Sequence, residues 1–226
     1  MGRFRADSPS DALLRAAGSL LRTSGDSFVS SLTYRAVAFV NLVKKGWLAS
    51  GHETRWTLWG FPDCVIRISF KGVTFRHVCP RGKPYNIYLN PYFHEYDIGR
   101  FVCSQLEEGD TFIDVGAMAG LYTILASKRV GQRGRVISVE PNPDCLGDLK
   151  ANIQLNGLGN VSLFPNALGE RSAGGIRMFF DRDRLENASV LQDGQHQSFQ
   201  TDMVTLDSIA AREPSVKIVK IDTEGY

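Results

Sequence analysis

The sequence predicts an α/β protein: a parallel sheet with helices on both faces, preceded by a small module of helix and β-hairpin. Three observations predict it. From Thr111 onward, short apolar runs alternate with stretches of helical length, the pattern of strands joined by crossover helices. The first of these runs leads straight into a glycine-bearing turn. Upstream, two β-branched and aromatic runs flank Lys71-Gly72, a two-residue hairpin signal. Composition allows this reading. The chain has 226 residues, 43% hydrophobic and 22% charged, which is ordinary for a globular protein. The net charge of +2 gives no electrostatic reason to expect nucleic acid. No run of apolar residues is long enough for a transmembrane helix, and no signal-type segment follows Arg3 and Arg5, so a cytoplasmic location is expected. The four cysteines at 64, 79, 103 and 145 lack metal-ligand spacing, although Cys64 and Cys79 can lie on neighbouring strands.

The elements follow in order. Residues 1–85 read as the N-terminal module and 86–226 as the main domain. In the module, helices are expected near 11–21 and 32–48. Strands are expected at Val65–Phe70 and Val73–Val78. The aromatic cluster Tyr85, Tyr88, Tyr92, Phe93 and Tyr96 reads first as packing and second as a lid over a site. A helix is expected from Phe93 to Leu106. Thr111–Val115 is the first strand of the alternating part, and its turn Gly116–Gly120 opens a helix to Arg129. Arg135–Glu140 is the second strand. Pro143 opens a helix to Asn156, stopped by Gly157. Val161–Phe164 is the third strand. Residues 174–205 interrupt the alternation as a hairpin-like insertion. Leu206–Arg212 is a short helix, and Lys217–Ile221 is the fourth strand, which ends at Asp222.

The chemistry concentrates at the strand ends. Asp114-Val115-Gly116-Ala117 and Gly120 form D-x-G-x-x-x-G between a strand and a helix. Gly116 permits a sharp turn, and Gly120 permits close approach of the helix to the sheet or a ligand. A dinucleotide-binding turn would read G-x-G-x-x-G and would avoid an acid beside the diphosphate. S-adenosylmethionine carries a sulfonium and no phosphate, so Asp114 suits it better. Glu140 ends the second strand and is placed to hold ribose hydroxyls, with Pro141 and Asn142 beside it. Asn166 and Ala167 follow the third strand, where a contact to adenine would fall. Asp222 and Glu224 follow the fourth, where such sheets place their ligands.

These residues resemble the FkbM family of methyltransferases. The resemblance is carried by Glu108–Thr123, Val139–Pro143 with Leu149 and Asn152, Asn166–Gly169, Thr205-Leu206-Asp207 and Lys220–Tyr226. Family members usually carry Asn where Met118 stands. The resemblance implies a class I methyltransferase (Rossmann-like) fold with S-adenosyl-L-methionine as cofactor. It also implies methyl transfer to a hydroxyl of a sugar, glycan or secondary metabolite. Asp222 and Glu224 are then the candidates for acceptor orientation or proton removal, and too few oxygens are present to enter a metal. The family sheet has three further strands, so the domain is expected to be truncated after its fourth strand. Lys217–Ile221 would then be an exposed apolar edge, and this polypeptide would be poorly soluble or inactive. Two alternatives stay open on the residues alone. One is a non-catalytic nucleoside-binding or partner-binding module, and the other is an NAD-type oxidoreductase.

Overall fold

The computed structural model describes residues 18, 23–25, 64–79, 90–92, 95–181, 184–189 and 197–223. The expected helix near 11–21, except Gly18, the helix near 32–48, and Tyr85, Tyr88, Phe93 and Glu224 lie outside the described residues. The chain divides into two compact units, Met1–Tyr96 and Asp97–Tyr226.

In the first unit, β1 (Thr23–Gly25), β2 (Cys64–Phe70) and β3 (Val73–Cys79) form one antiparallel sheet in that order. Lys71 at φ 46° and Gly72 at φ 81° make the two-residue turn. Positive φ at both positions matches the right-handed twist of the flanking strands. Alternate residues Ile66, Ile68, Phe70 and Phe75 are buried. Tyr92 and Tyr96 each meet Phe70 edge-on, with ring centroids 5.1 and 5.7 Å away, and the Tyr92 hydroxyl donates to the Ser69 carbonyl at 2.7 Å. For these two tyrosines the aromatic cluster is packing. Cys64 and Cys79 face each other in register as buried, reduced thiols.

Helix α1 (Tyr96–Gln105), three residues shorter at its start than the sequence predicts, belongs to the second unit in all but its first residue. A parallel sheet follows: β4 (Thr111–Val115), β5 (Arg135–Val139), β6 (Val161–Phe164) and β11 (Ile218–Ile221), in the order β11-β4-β5-β6. The crossovers are α2 (Leu121–Val130) after β4 and α3 (Pro143–Leu155) after β5. The predicted strand–helix alternation is therefore present, with ends displaced by a residue or so. On one face Ile113, Val115, Ile137, Val139 and Ile209 form a core with Phe164, Leu206 and Val216. Ile209 comes from α4 (Leu206–Ala210), capped by the Thr205 hydroxyl, which accepts from the Ser208 N–H at 3.1 Å.

The segment expected as a hairpin is larger. β7 (Ala167–Leu168), β8 (Ala173–Asp181), β9 (Arg184–Ser189) and β10 (Gln197–Val204) form a second four-stranded sheet, in the order β7-β10-β8-β9. β7 is only two residues long and pairs parallel with β10 from a distance in sequence, so no local pattern announces it.

Candidate functional site

The site is built on the carboxyl ends of β4, β5 and β11. The turn after β4 is tied to β5: the Gly116 and Ala117 N–H groups both donate to the Val139 carbonyl, at 2.9 and 3.1 Å. Met118 N–H donates to Glu140 Oε2 at 2.8 Å, and Gly120 N–H returns to the Ala117 carbonyl. Four of the five N–H groups from Gly116 to Gly120 thus bond within the protein. Each glycine has a specific reason. A Cβ at Gly116 (φ 74°) would lie 2.0 Å from the Asp222 carbonyl oxygen. At Gly120 (φ 94°) it would lie 2.5 Å from Leu149 Cδ1. Both openings are filled by the protein's own chain, so the close approach at Gly120 is between helix α3 and the turn.

Glu140 joins two loops. Its Oε2 accepts from Met118 N–H and its Oε1 from Asn142 N–H, each at 2.8 Å. Asn142 then caps α3, its side chain accepting from Asp144 N–H at 3.0 Å, with Pro143 at the first helical position. The Asn152 amide, from the same helix, donates to the Ala119 carbonyl at 2.8 Å. Glu140 is buried, and burial pushes its carboxyl from the ordinary 4.5 to about 7. The two backbone N–H bonds oppose that rise, and the nearby Asp114 charge adds to it. Both oxygens keep spare acceptor capacity, since an ionised carboxylate offers about four lone-pair sites.

A polar row crosses the apolar sheet. Parallel register places Lys220 of β11, Asp114 of β4 and Ser138 of β5 side by side. From α2, the Thr123 hydroxyl lies 2.7 Å from both Asp114 Oδ2 and Ser138 Oγ. Asp114 is wholly buried. Its Oδ1 accepts no hydrogen bond and faces the Lys220 ammonium at 3.9 Å. Burial raises the Asp114 carboxyl, while the Lys220 ammonium and then the Thr123 hydroxyl pull it back down. The cation that Asp114 attracts is thus a side chain of the protein. Lys220 also lies 3.1 Å from Asp222 Oδ2 and 4.8 Å from the centre of the Tyr122 ring.

The remaining candidates divide. Asp222 continues β11, its N–H bonded to the Val115 carbonyl at 3.1 Å, and its side chain is exposed. Val115 and Gly116 lie against its backbone, Gly116 and Ala117 are tied to Val139, and Glu140 joins the turn to Asn142. Asn166 and Ala167 turn toward the second sheet: the Asn166 amide donates to the Asp202 carbonyl at 3.3 Å, and Ala167 pairs with Met203. Lys220, Thr123, Ser138 and Tyr122 were given no role from the sequence. Strand register brings Lys220 and Ser138 to Asp114, although β11 lies about a hundred residues from β4, and helix α2 brings Thr123 and Tyr122. No group of His, Cys, Asp and Glu among the described residues could hold a metal ion.

A parallel sheet whose strand-end turn, second-strand acid and buried polar row converge in this way defines a Rossmann-like methyltransferase fold. Residues 114–226 match the family model described as the methyltransferase FkbM domain, which is half of the chain; the chain belongs to that family. Solved structures are similar over shorter parts. One is a SAM-dependent methyltransferase from Aquifex aeolicus, with 32% identity over 30% of this chain and 35% of that one, at TM-score 0.26. A second is Trm5b from Pyrococcus abyssi, with 23% identity over 46% and 28%, at TM-score 0.35. A third is a SAM-dependent O-methyltransferase from Thermotoga maritima, with 18% identity over 44% and 40%, at TM-score 0.31. The chain thus spans well under half the length of these structures. Among curated proteins none matches.

Proposed function

We propose that this protein is an S-adenosylmethionine-dependent methyltransferase that methylates a hydroxyl oxygen of a sugar, glycan or other small molecule, in the cytoplasm. The observation that carries this reading is Glu140. It is a buried carboxylate, held by two backbone N–H groups at the end of the second strand, beside a phosphate-averse turn, in an FkbM-family chain. The residues fit the cofactor. Glu140 takes the ribose hydroxyls in its spare lone pairs. The Gly116–Gly120 turn, with Val115 and Ala117, backs the methionyl part. Asn142 and Pro141 hold Glu140's loop. Asn166 and Ala167 border the adenine through their backbone, since the Asn166 amide is bonded to Asp202. Asp114, wholly buried and facing Lys220, supports the turn from beneath and bears on the cofactor only through that lysine.

When bound, the cofactor supplies an electrophilic methyl group on sulfur. The protein's part is to hold an acceptor oxygen in line with it, about 3 Å away, and to take the hydroxyl proton. Asp222 is exposed at the strand end with Oδ2 ion-paired, which supports its other oxygen as the acceptor of that proton. Glu224 is proposed to orient the acceptor.

The test is methyl transfer from labelled S-adenosylmethionine to a panel of sugars, oligosaccharides and hydroxylated small molecules, with an RNA arm. Label in an alkali-stable ether linkage, reduced about a hundredfold by Asp222→Asn, is expected. Label on RNA, on a nitrogen or in a base-labile ester would contradict the acceptor assignment.

A further inference from the structure

The cluster around Lys220 contains more than an acceptor base. One ammonium faces two carboxylates: Asp114 Oδ1 at 3.9 Å, wholly buried, and Asp222 Oδ2 at 3.1 Å, exposed. The ammonium is nearly buried, with a tenth of its side chain exposed, and it stands over the Tyr122 face. Its position is fixed from three sides, by the Asp114 register partner, the ring and the strand. Asp222 by contrast is anchored through its backbone and through this ion pair alone among the described residues. An exposed carboxylate on a short side chain otherwise samples several rotamers. Asp222 also adjoins the cofactor turn, its carbonyl oxygen packed against Gly116.

We propose that Lys220 is a positioning residue: it holds the Asp222 carboxylate toward the cofactor turn, so that the site favours the cationic cofactor S-adenosylmethionine over its neutral product S-adenosylhomocysteine. Asp222 is the exposed carboxylate of the cluster, so its charge is the one that meets the sulfonium. Loss of that charge partner after methyl transfer favours product release. This inference rests on the cofactor reading above.

The test is calorimetric affinity for S-adenosylmethionine and for S-adenosylhomocysteine, measured on the same chain and expressed as a ratio. In the wild type the sulfonium form is expected to bind about fivefold more tightly, the scale of one charge pair near the surface. Asp222→Asn should remove this preference. Because Asp222 is exposed, that variant keeps its fold. Lys220→Met should remove it as well, since Asp222 is no longer held, and Lys220→Arg should retain most of it. The double variant should match either single one. Lys220→Met combined with Asp114→Asn covers the case in which the single variant unfolds, because no buried charge is then left alone. A ratio that rises in Lys220→Met would mean the ammonium acts only as a repelling charge, and would overturn the proposal. An unchanged ratio with both affinities lowered would mean a purely structural role, and would overturn it too. If the folded wild type binds neither compound, the cofactor reading itself fails and this inference falls with it.

Discussion

Gly116, Met118 and Glu140 show how single residues set the turn. Gly116 has a positive φ and the Asp222 carbonyl in the space a Cβ would need. Gly116→Ala is expected to cost about 2–4 kcal/mol, because the clash is with backbone and the conformation is left-handed; thermal unfolding measures it. Met118 sits at φ 50°, where an L-residue without a short polar side chain is strained. Its N–H, not its side chain, does the bonding, so the departure from the usual Asn leaves the turn intact. Met118→Asn should raise stability by about 0.5–1 kcal/mol, a shift of a few degrees in Tm with cofactor affinity little changed. Glu140 carries a pH signature. Its carboxyl is at about 7 folded against 4.5 ordinarily. Below the lower value it is protonated in both states and costs nothing. Between the two, the unfolded chain releases a proton that the folded chain keeps. Its contribution to stability therefore falls with rising pH and is fully lost above about 7, by roughly 3 kcal/mol. Glu140→Gln should flatten that slope in urea titrations at pH 5, 6, 7 and 8; an equal slope in both proteins would refute the assignment.

At the scale of elements, α3 is docked by polar bonds as well as by packing. Asn142 caps it, Asn152 ties it to Ala119, and Leu149 fills the space at Gly120. Asn152→Ala should cost about 1–3 kcal/mol by leaving the Ala119 carbonyl without that donor. It should also loosen the turn that receives Glu140, which hydrogen exchange at Met118 would register. The parallel strands and their crossovers were legible in the sequence because each is a local pattern: an apolar run, a glycine turn, a proline at N1, a glycine stop. The hairpin at Lys71-Gly72 was legible for the same reason. The second sheet was not, because β7 is two residues long and joins β10 across more than thirty residues. Asn166 follows a strand end, where the sequence points to a contact with adenine. The structure commits its amide to Asp202, a partner that only the second sheet supplies.

Across the whole molecule, the charges that matter are few and mutually dependent. The overall net charge is +2, yet the strand ends gather Asp114, Glu140 and Asp222 around one lysine. Sequence showed the acids, because acids at strand ends are a recognisable pattern. It did not show the lysine's role, because that depends on β11 lying beside β4. The same network makes cofactor binding a property of protonation. Glu140 must be ionised to accept two ribose hydroxyls as well as two N–H groups, so affinity should rise with pH through about 7. The most direct measurement of the central claim is calorimetric binding of S-adenosylhomocysteine at pH 6 and pH 8, with NAD as competitor and Glu140→Gln as control. The account predicts binding about tenfold tighter at pH 8, no competition from NAD, and a weaker, pH-independent interaction in the variant. Binding to the folded chain that ignores both Glu140 and pH, or that NAD displaces, would contradict it.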